Sequence, residues 1–321
     1  MYNQQMLSAL KNADNFMVCC HIMPDGDAIG SLLALGRLLQ RMGKSYVLVS
    51  QDGVPASMMC LPDAGQIRRP EELAAYRIDT ALSVDVSEAN RMGDKVLPYF
   101  EKAALTLQID HHPTNPGFAM HNHVDAAAAA AGELVLGLWE DLGEKPDAET
   151  AYQLYCAIDS DSGNFRFSSV RPFTFYCMQQ LMEAGLDISK AARELFMVKS
   201  RGHIAALGKA LSSLTYFADG QATYMRLSLE DKAACGASMD DINGIVNNGL
   251  YLTGVKMCFM GDEVEGGWKY SLRALPGYDV SVIAVAFGGG GHKLASGCLV
   301  KDTFENTSAR MMDMMEQALK A

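Results

Sequence analysis

The chain lacks most of the devices that hold small secreted or membrane-bound proteins together. None of its eight cysteines forms a CxxC pair. Cys19, Cys20, Cys156, Cys177 and Cys258 lie in apolar contexts, so reduced core thiols are expected rather than a zinc ribbon or a disulfide framework. No charge-free apolar run approaches the roughly 20 residues a membrane helix needs, and no basic segment precedes a long apolar stretch near the amino terminus. A cytoplasmic protein with no membrane partner is therefore expected. Positive charge is also scarce: 27 Lys and Arg against 38 Asp and Glu leave a formal net charge of −11. A protein that coats duplex nucleic acid needs a basic track, which this balance argues against. Small anionic substrates stay compatible, because a bound divalent metal becomes the largest local positive charge and attracts phosphate. No internal repeat is evident, and the alanine run at 126–131 is the one biased tract.

What is present is a chain of 321 residues, nearly half apolar, long enough for two domains. It is organised around Val18 to Ala34, VCCHIMPDGDAIGSLLA. The apolar run Phe16 to Cys20 reads as a buried strand, so His21, Asp25 and Asp27 emerge at its carboxyl end, where open α/β sheets keep their sites. Gly26 and Gly30 are expected to relax the turn, with Ser31 opening a helix that ends at Gly43. One imidazole and two carboxylates on a tight loop suit Mn²⁺ or Mg²⁺ better than a thiolate-held metal.

The pattern recurs at three further apolar runs. Ala81 to Val84 leads into Asp85, and Ala104 to Ile109 into Asp110-His111-His112. Leu154 to Ile158 leads into Asp159-Ser160-Asp161-Ser162-Gly163. HIMPDGDAIGS, VDVS, DHHPTN and DSDSGNF resemble, in that order, the four motifs of the DHH phosphoesterase superfamily. GGGGHKLASG near the carboxyl end resembles the signature of the DHH-associated second domain, so the resemblance spans almost the whole chain. It is closest to the stand-alone nano-RNases and pAp phosphatases of the NrnA type.

The resemblance implies a two-metal site, carried over motif by motif. His21 and Asp25 would hold one metal, Asp27, His111 and Asp161 the other, and Asp85 would bridge them. Asp110 would accept a hydrogen bond from a ligating histidine, and His112 would touch the phosphoryl oxygens or the leaving group. By residue type alone either Asp159 or Asp161 could reach the metal; Asp161, in Asp161-Ser162-Gly163, matches the family's Asp-Thr-Gly. His121 and His123 read as solvated loop histidines. Family members often carry Ser or Thr within the segment that is here all alanine, which removes one hydroxyl from near the site.

Strand and helix patterns alternate through the first half, as a parallel sheet with crossover helices requires. The expected fold class is α/β, with an N-terminal parallel-sheet domain and a smaller C-terminal mixed-sheet domain joined by a helical linker. The expected spans are 1–186 for the metal-binding catalytic domain, 187–213 for the linker and 214–321 for the substrate-binding domain. One helix is expected over 125–143. In the second domain GGGGHK is not a P-loop: Phe287 stands where its first glycine would be, and no Ser or Thr follows Lys293. Gly289, Gly290, Gly291 and His292 instead suit close approach of backbone N–H groups to phosphate. Arg273 resembles the family's substrate arginine, whose bidentate donors fit a terminal phosphate.

The expected activity is hydrolysis of short single-stranded RNA to mononucleotides and of 3′-phosphoadenosine 5′-phosphate (pAp) to AMP, by water activated between two Mn²⁺ ions, with Mg²⁺ as the substitute. Hydrolysis of cyclic di-AMP or its linear product pApA is the enzymatic alternative. A nucleotide-binding sensor without turnover is the alternative from another class, although a sensor has no need of a complete two-metal site. A RecJ-type exonuclease would need additional domains, and a pyrophosphatase of the superfamily would lack GGGGH. A homodimer is compatible with the sequence.

Overall fold

The structure, a computed structural model, describes residues 2–320. The chain divides into two compact units, Met1–Val198 and Lys199–Ala321.

In the first unit five strands form a sheet, β1 (Phe16–Cys19), β2 (Tyr46–Val49), β3 (Thr80–Val84), β4 (Leu105–Asp110) and β5 (His121–Val124). Their order is β2-β1-β3-β4-β5 and every neighbouring pair is parallel, as expected. Parallel strands need crossovers that cover both faces, and alternate residues go to opposite cores. Phe16 and Val18 pack into the cluster with Ile29, Leu32, Trp139 and Leu154, while Met17 and Cys19 join Val96 and Phe100 on the other side. The helices are α1 (Gln4–Asn12), α2 (Gly26–Arg41), α3 (Leu97–Lys102), α4 (Ala131–Asp141), α5 (Ala148–Asp161), α6 (Pro172–Glu183) and α7 (Ile188–Ala192).

Three expectations are corrected. First, α2 starts five residues before Ser31: Asp25 is its N-cap, accepting from the backbone N–H groups of Asp27 and Ala28, both at 3.1 Å. Gly26 and Gly30 are therefore helical. Their role is close approach, since a Cβ on Gly30 would lie 2.3 Å from the Gln153 carbonyl oxygen and one on Gly26 2.7 Å from the Ser160 Cβ. Second, Leu154 to Ile158 is the interior of α5 rather than a strand. A short apolar run does not distinguish a buried helix from a buried strand. Third, helix covers only Ala131–Asp141 of 125–143. Ala128, Ala129 and Ala130 are buried and Ala130 is extended (φ −156°, ψ 155°), so a tertiary demand overrides the helix propensity of alanine.

The second unit holds a six-stranded mixed sheet of β6 (Thr215–Phe217), β7 (Ala222–Leu227), β8 (Met257–Val264), β9 (Gly267–Ala274), β10 (Gly290–His292) and β11 (Ala295–Val300), in the order β10-β11-β9-β8-β7-β6. Only β7 and β8 pair in parallel. Its helices are α8 (Arg201–Ser212), α9 (Leu229–Cys235), α10 (Met239–Ile242), α11 (Ser281–Ala286) and α12 (Phe304–Lys320). Gly290 and Gly291 of the glycine run lie in the edge strand β10. No helix among the described residues is long and apolar enough to cross a membrane.

Candidate metal centre

Strands β1, β3 and β4 end side by side, and each delivers acidic or imidazole groups to the carboxyl edge of the sheet. His21 follows β1, Asp85 follows β3, and Asp110, His111 and His112 end and follow β4. The fourth contribution comes from a helix terminus: Asp161 is the last residue of α5. Asp85 is held at φ +57°, a region that costs a non-glycine residue energy and that persists where the surroundings impose it. Its N–H donates to the Ile109 carbonyl at 3.0 Å, which ties the turn to β4.

Asp85 is the centre of the cluster. Its Oδ2 lies 3.5 Å from His21 Nε2, and its Oδ1 lies 3.5 Å from His111 Nε2. His21 Nε2 is also 3.8 Å from Asp25 Oδ1. His111 Nε2 is 3.6 Å from Asp27 Oδ2 and 3.3 Å from Asp161 Oδ2. Three groups result in which every ligand atom lies within 4.8 Å of the others: His21, Asp25 and Asp85; Asp27, His111 and Asp161; and Asp85, His111 and His112. Asp85 Oδ1 and His111 Nε2 are buried with no hydrogen-bond partner. Orphaned buried polar atoms on an Asp and a His, spaced beyond hydrogen-bonding distance but converging, fit a cation held between them.

The electrostatics agree. Burial pushes the Asp85 carboxyl up, but the imidazoles of His111 and His21 outweigh it and hold it well below the usual carboxylate range. Burial alone would lower the His21 ring, yet the Asp25 and Asp85 carboxylates raise it to about 11. His111 likewise loses by burial and gains more from Asp161 and Asp85, reaching about 12. Asp27 is fully buried and is raised well above its ordinary value, first by burial and then by the Asp85 and Asp161 carboxylates. The cluster thus binds extra protons where a divalent cation would satisfy the same carboxylates.

Both ring orientations are fixed by main-chain oxygens. His21 Nδ1 is 2.8 Å from the Ile22 carbonyl, and His111 Nδ1 is 3.3 Å from the Ala128 carbonyl. Each imidazole therefore presents Nε2 to the cluster. Asp110 plays a different part from the one expected. Its Oδ1 accepts from His112 Nδ1 at 2.8 Å and its Oδ2 from Asn115 Nδ2 at 2.5 Å, so it orients His112 and not His21 or His111. Asp159 is buried and accepts from Asn164 at 2.5 Å, outside the three groups. His121 and His123 lie on β5; His123 stacks on Tyr2 with ring centroids 3.7 Å apart, and neither joins the cluster.

In the second unit the residues singled out from sequence fall in one register row. Arg273 on β9 pairs with Ala295 on β11, and Ala295 pairs with His292 on β10, so Arg273 and His292 face the same side of the sheet. Arg273 is half-buried; its Nε donates to Asn247 Oδ1 at 3.0 Å and its Nη1 to the Leu272 carbonyl at 2.9 Å. Gly289 packs where a Cβ would meet the Gly297 carbonyl oxygen at 2.1 Å, and Gly291 has φ +137°.

Residues 15–158 match the DHH family N-terminal domain, and residues 221–321 match the DHHA1 domain. The chain thus carries a DHH-family N-terminal domain followed by a DHHA1 domain. The bifunctional oligoribonuclease and PAP phosphatase NrnA of Thermus thermophilus is 29% identical over 284 residues, covering 88% of this chain and 83% of that protein. The crystal structure of an exopolyphosphatase-related protein from Bacteroides fragilis shares the fold, with a TM-score of 0.92 at 22% identity, covering 99% of this chain and 97% of that one. Exonuclease RecJ bound to manganese shares it more loosely, with a TM-score of 0.57 at 16% identity over 97% and 93% of the two chains.

The DHH site also uses groups that sequence reasoning missed. The backbone N–H groups of Ala131 and Gly132 donate to Asp27 at 2.5 and 2.9 Å, and Ser31 Oγ donates to Asp27 at 2.9 Å. The alanine run is thus part of the site through its main chain, which needs no side-chain hydroxyl. Behind it, fully buried Glu133 accepts from Thr174 Oγ1 at 2.5 Å, Ala129 N at 3.2 Å and Arg171 Nη2 at 3.3 Å. The one available signal was Gly-Glu after six alanines: a helix with no capping side chain at its start, whose third residue is acidic.

Proposed function

We propose that this chain is a divalent-metal-dependent phosphoesterase that releases mononucleotides from very short RNA and converts pAp to AMP. The observation that carries the reading is Asp85, a single buried carboxylate facing two imidazoles that each have further carboxylates of their own. His21 and Asp25 would hold one ion, Asp27, His111 and Asp161 the other, with Asp85 shared. A mixed imidazole and carboxylate set suits Mn²⁺, with Mg²⁺ as the substitute. A pair of such ions supplies, when bound, a water activated at neutral pH and positive charge for the transferring phosphoryl oxygens.

The chain's own groups do the rest. His21 and His111 are locked by the carbonyls at Nδ1, so neither ring must reorient. His112 is oriented by Asp110; burial alone would lower its ring, but Asp110 raises it above its ordinary value and so favours the protonated form. Its Nε2–H can then donate to a phosphoryl oxygen or give its proton to the departing ribose oxygen. Asp110 acts through His112. Arg273 and His292, with Gly289, Gly290 and Gly291, would hold the substrate's terminal phosphate. Their shared register row and the forked donors of arginine support this.

The relative from Thermus thermophilus carries both activities in its name, and the net charge of −11 disfavours long or duplex nucleic acid here. One panel tests the reading: turnover of pAp, of labelled two- to five-nucleotide RNAs, of pApA, cyclic di-AMP and pyrophosphate, with Mn²⁺ and after chelation. Turnover of pAp and short RNA that chelation abolishes is the expected result. Preferential turnover of cyclic di-AMP or pyrophosphate, or turnover indifferent to chelation, overturns it.

A further inference from the structure

We propose that Phe167 is a stacking platform for an unpaired nucleobase beside the metal centre; this rests on the phosphoesterase reading above. The segment after Asp161 has an unusual backbone. Gly163, Asn164 and Phe165 are consecutive residues with positive φ, at +59°, +56° and +59°. Such a conformation is a genuine outlier for a bulky aromatic like Phe165 and persists only where the surroundings impose it. Hydrogen bonds impose it here: the N–H groups of Arg166 and Phe167 both donate to the Ser162 carbonyl, at 2.9 and 3.0 Å, and Asn164 is anchored to buried Asp159.

The conformation seats one ring. The edge of Phe167 occupies the space a Cβ on Gly163 would need, its Cζ lying 2.5 Å from that position. Gly163 thus makes room for the ring two residues after Asp161, whose carboxylate lies 3.3 Å from His111. Despite this seating Phe167 is 58% exposed. An aromatic side chain positioned by a strained loop, yet left open, has gained neither burial nor a stacking partner. Its neighbour Phe165 does have one, Phe175, at a centroid distance of 6.0 Å. Arg166 lies between the two aromatics in sequence; its Nε donates to the Gly163 carbonyl at 2.6 Å and its Nη2 to Asn164 at 3.1 Å, which keeps a positive charge on this loop. An open ring on the loop that follows a metal-site carboxylate, with a loop-anchored arginine beside it in sequence, fits the π-face of a base. Stacking tolerates any base, since every base has such a face.

The test uses dinucleotide RNA and separates stacking from general damage. Phe167→Ala should lower kcat/KM for a base-bearing dinucleotide roughly tenfold, and Phe167→Leu should match it, whereas Phe167→Trp should retain activity. Dinucleotides with an abasic ribose at the 5′ or the 3′ position should locate the base: with one of them, wild type and Phe167→Ala should turn over equally. In parallel, a non-hydrolysable dinucleotide carrying 2-aminopurine should be quenched on binding wild type but not on binding Phe167→Ala. Full activity and full quenching in Phe167→Ala overturn the proposal, as do equal losses on base-bearing and both abasic substrates. A wild type that quenches 2-aminopurine through Phe167 but turns over no dinucleotide would sink the phosphoesterase reading and leave the stacking site standing.

Discussion

The N–H of Ala131 donates to Asp27 at 2.5 Å, joining the first residue of α4 to the first turn of α2 across 104 positions of sequence. A negative carboxylate at a helix amino terminus is favourably placed, and here the helix start adds to the side-chain donor Ser31.

Ala131→Pro isolates that bond. Proline is well tolerated as the first residue of a helix, and the extended conformation of Ala130 is the one a residue before proline prefers. Helix α4 should therefore survive while Asp27 loses its closest donor. The expected result is a modest stability loss of about 1–3 kcal/mol, with a clear drop in Mn²⁺ affinity by calorimetry. Unchanged affinity in a folded variant would remove Ala131 from the site.

Asp85→Ala should abolish turnover while leaving the fold, because no neighbour faces both His21 and His111. A fall in kcat of roughly 10³-fold or more corresponds to the several kcal/mol that two-metal catalysis supplies. Near wild-type kcat with an unaltered circular dichroism spectrum would exclude Asp85 as the shared ligand.

The metal-free protein should lose stability as pH rises above neutrality. His21 and His111 titrate at about 11 and about 12 in the folded chain, against roughly 6.5 unfolded. Their protonated forms therefore stabilise the fold fully below pH 6.5, and that contribution fades as pH climbs toward 11 and 12. Metal binding displaces these protons, so Mn²⁺ affinity should rise by roughly tenfold per pH unit for each proton released. Calorimetry in buffers of different ionisation enthalpy counts the protons; binding without release would contradict the assignment.

Arg273→Ala and His292→Ala should raise KM for short substrates and leave Mn²⁺ affinity intact, since both residues belong to the second unit. Collapse of metal affinity in either variant would reassign them.

Two glycines make a paired test of packing. Gly30→Ala would place a Cβ 2.3 Å from the Gln153 carbonyl oxygen, forcing α2 from α5 at a cost of about 1–3 kcal/mol or more. Gly137, inside α4, has nothing within 4 Å of its Cβ position, and Gly137→Ala should stabilise by about 0.5–1 kcal/mol. Denaturant midpoints decide both.

The parallel sheet of the first unit was legible because Phe16, Ala81 and Ala104 begin apolar runs of strand length with chemistry at their ends. What misled was ambiguity in short-range signals. Leu154 to Ile158 is apolar on all sides because α5 is buried, which looks the same as a buried strand. Six alanines favour helix locally, but the Ala128 carbonyl faces His111, the Ala129 N–H donates to Glu133 and the Ala131 N–H to Asp27, and the helix waits until Ala131. The histidines of β5 gave no strand signal at all, since an edge strand of His-Asn-His-Val has no apolar alternation to read. Asp110 was legible as a supporting residue but not its partner, because spacing does not tell which of two adjacent imidazoles turns toward it.

The proposed ligands run from His21 to Asp161 and come from the ends of three strands and from two helices, with only His21, Asp25 and Asp27 close together in sequence. No local fragment can assemble them. The metal-binding cradle is complete only when nearly all of the first unit has folded, so ions would enter last on folding and hold the unit shut against unfolding. A truncated or misassembled copy would then be catalytically silent, which confines phosphate-ester cleavage to finished molecules.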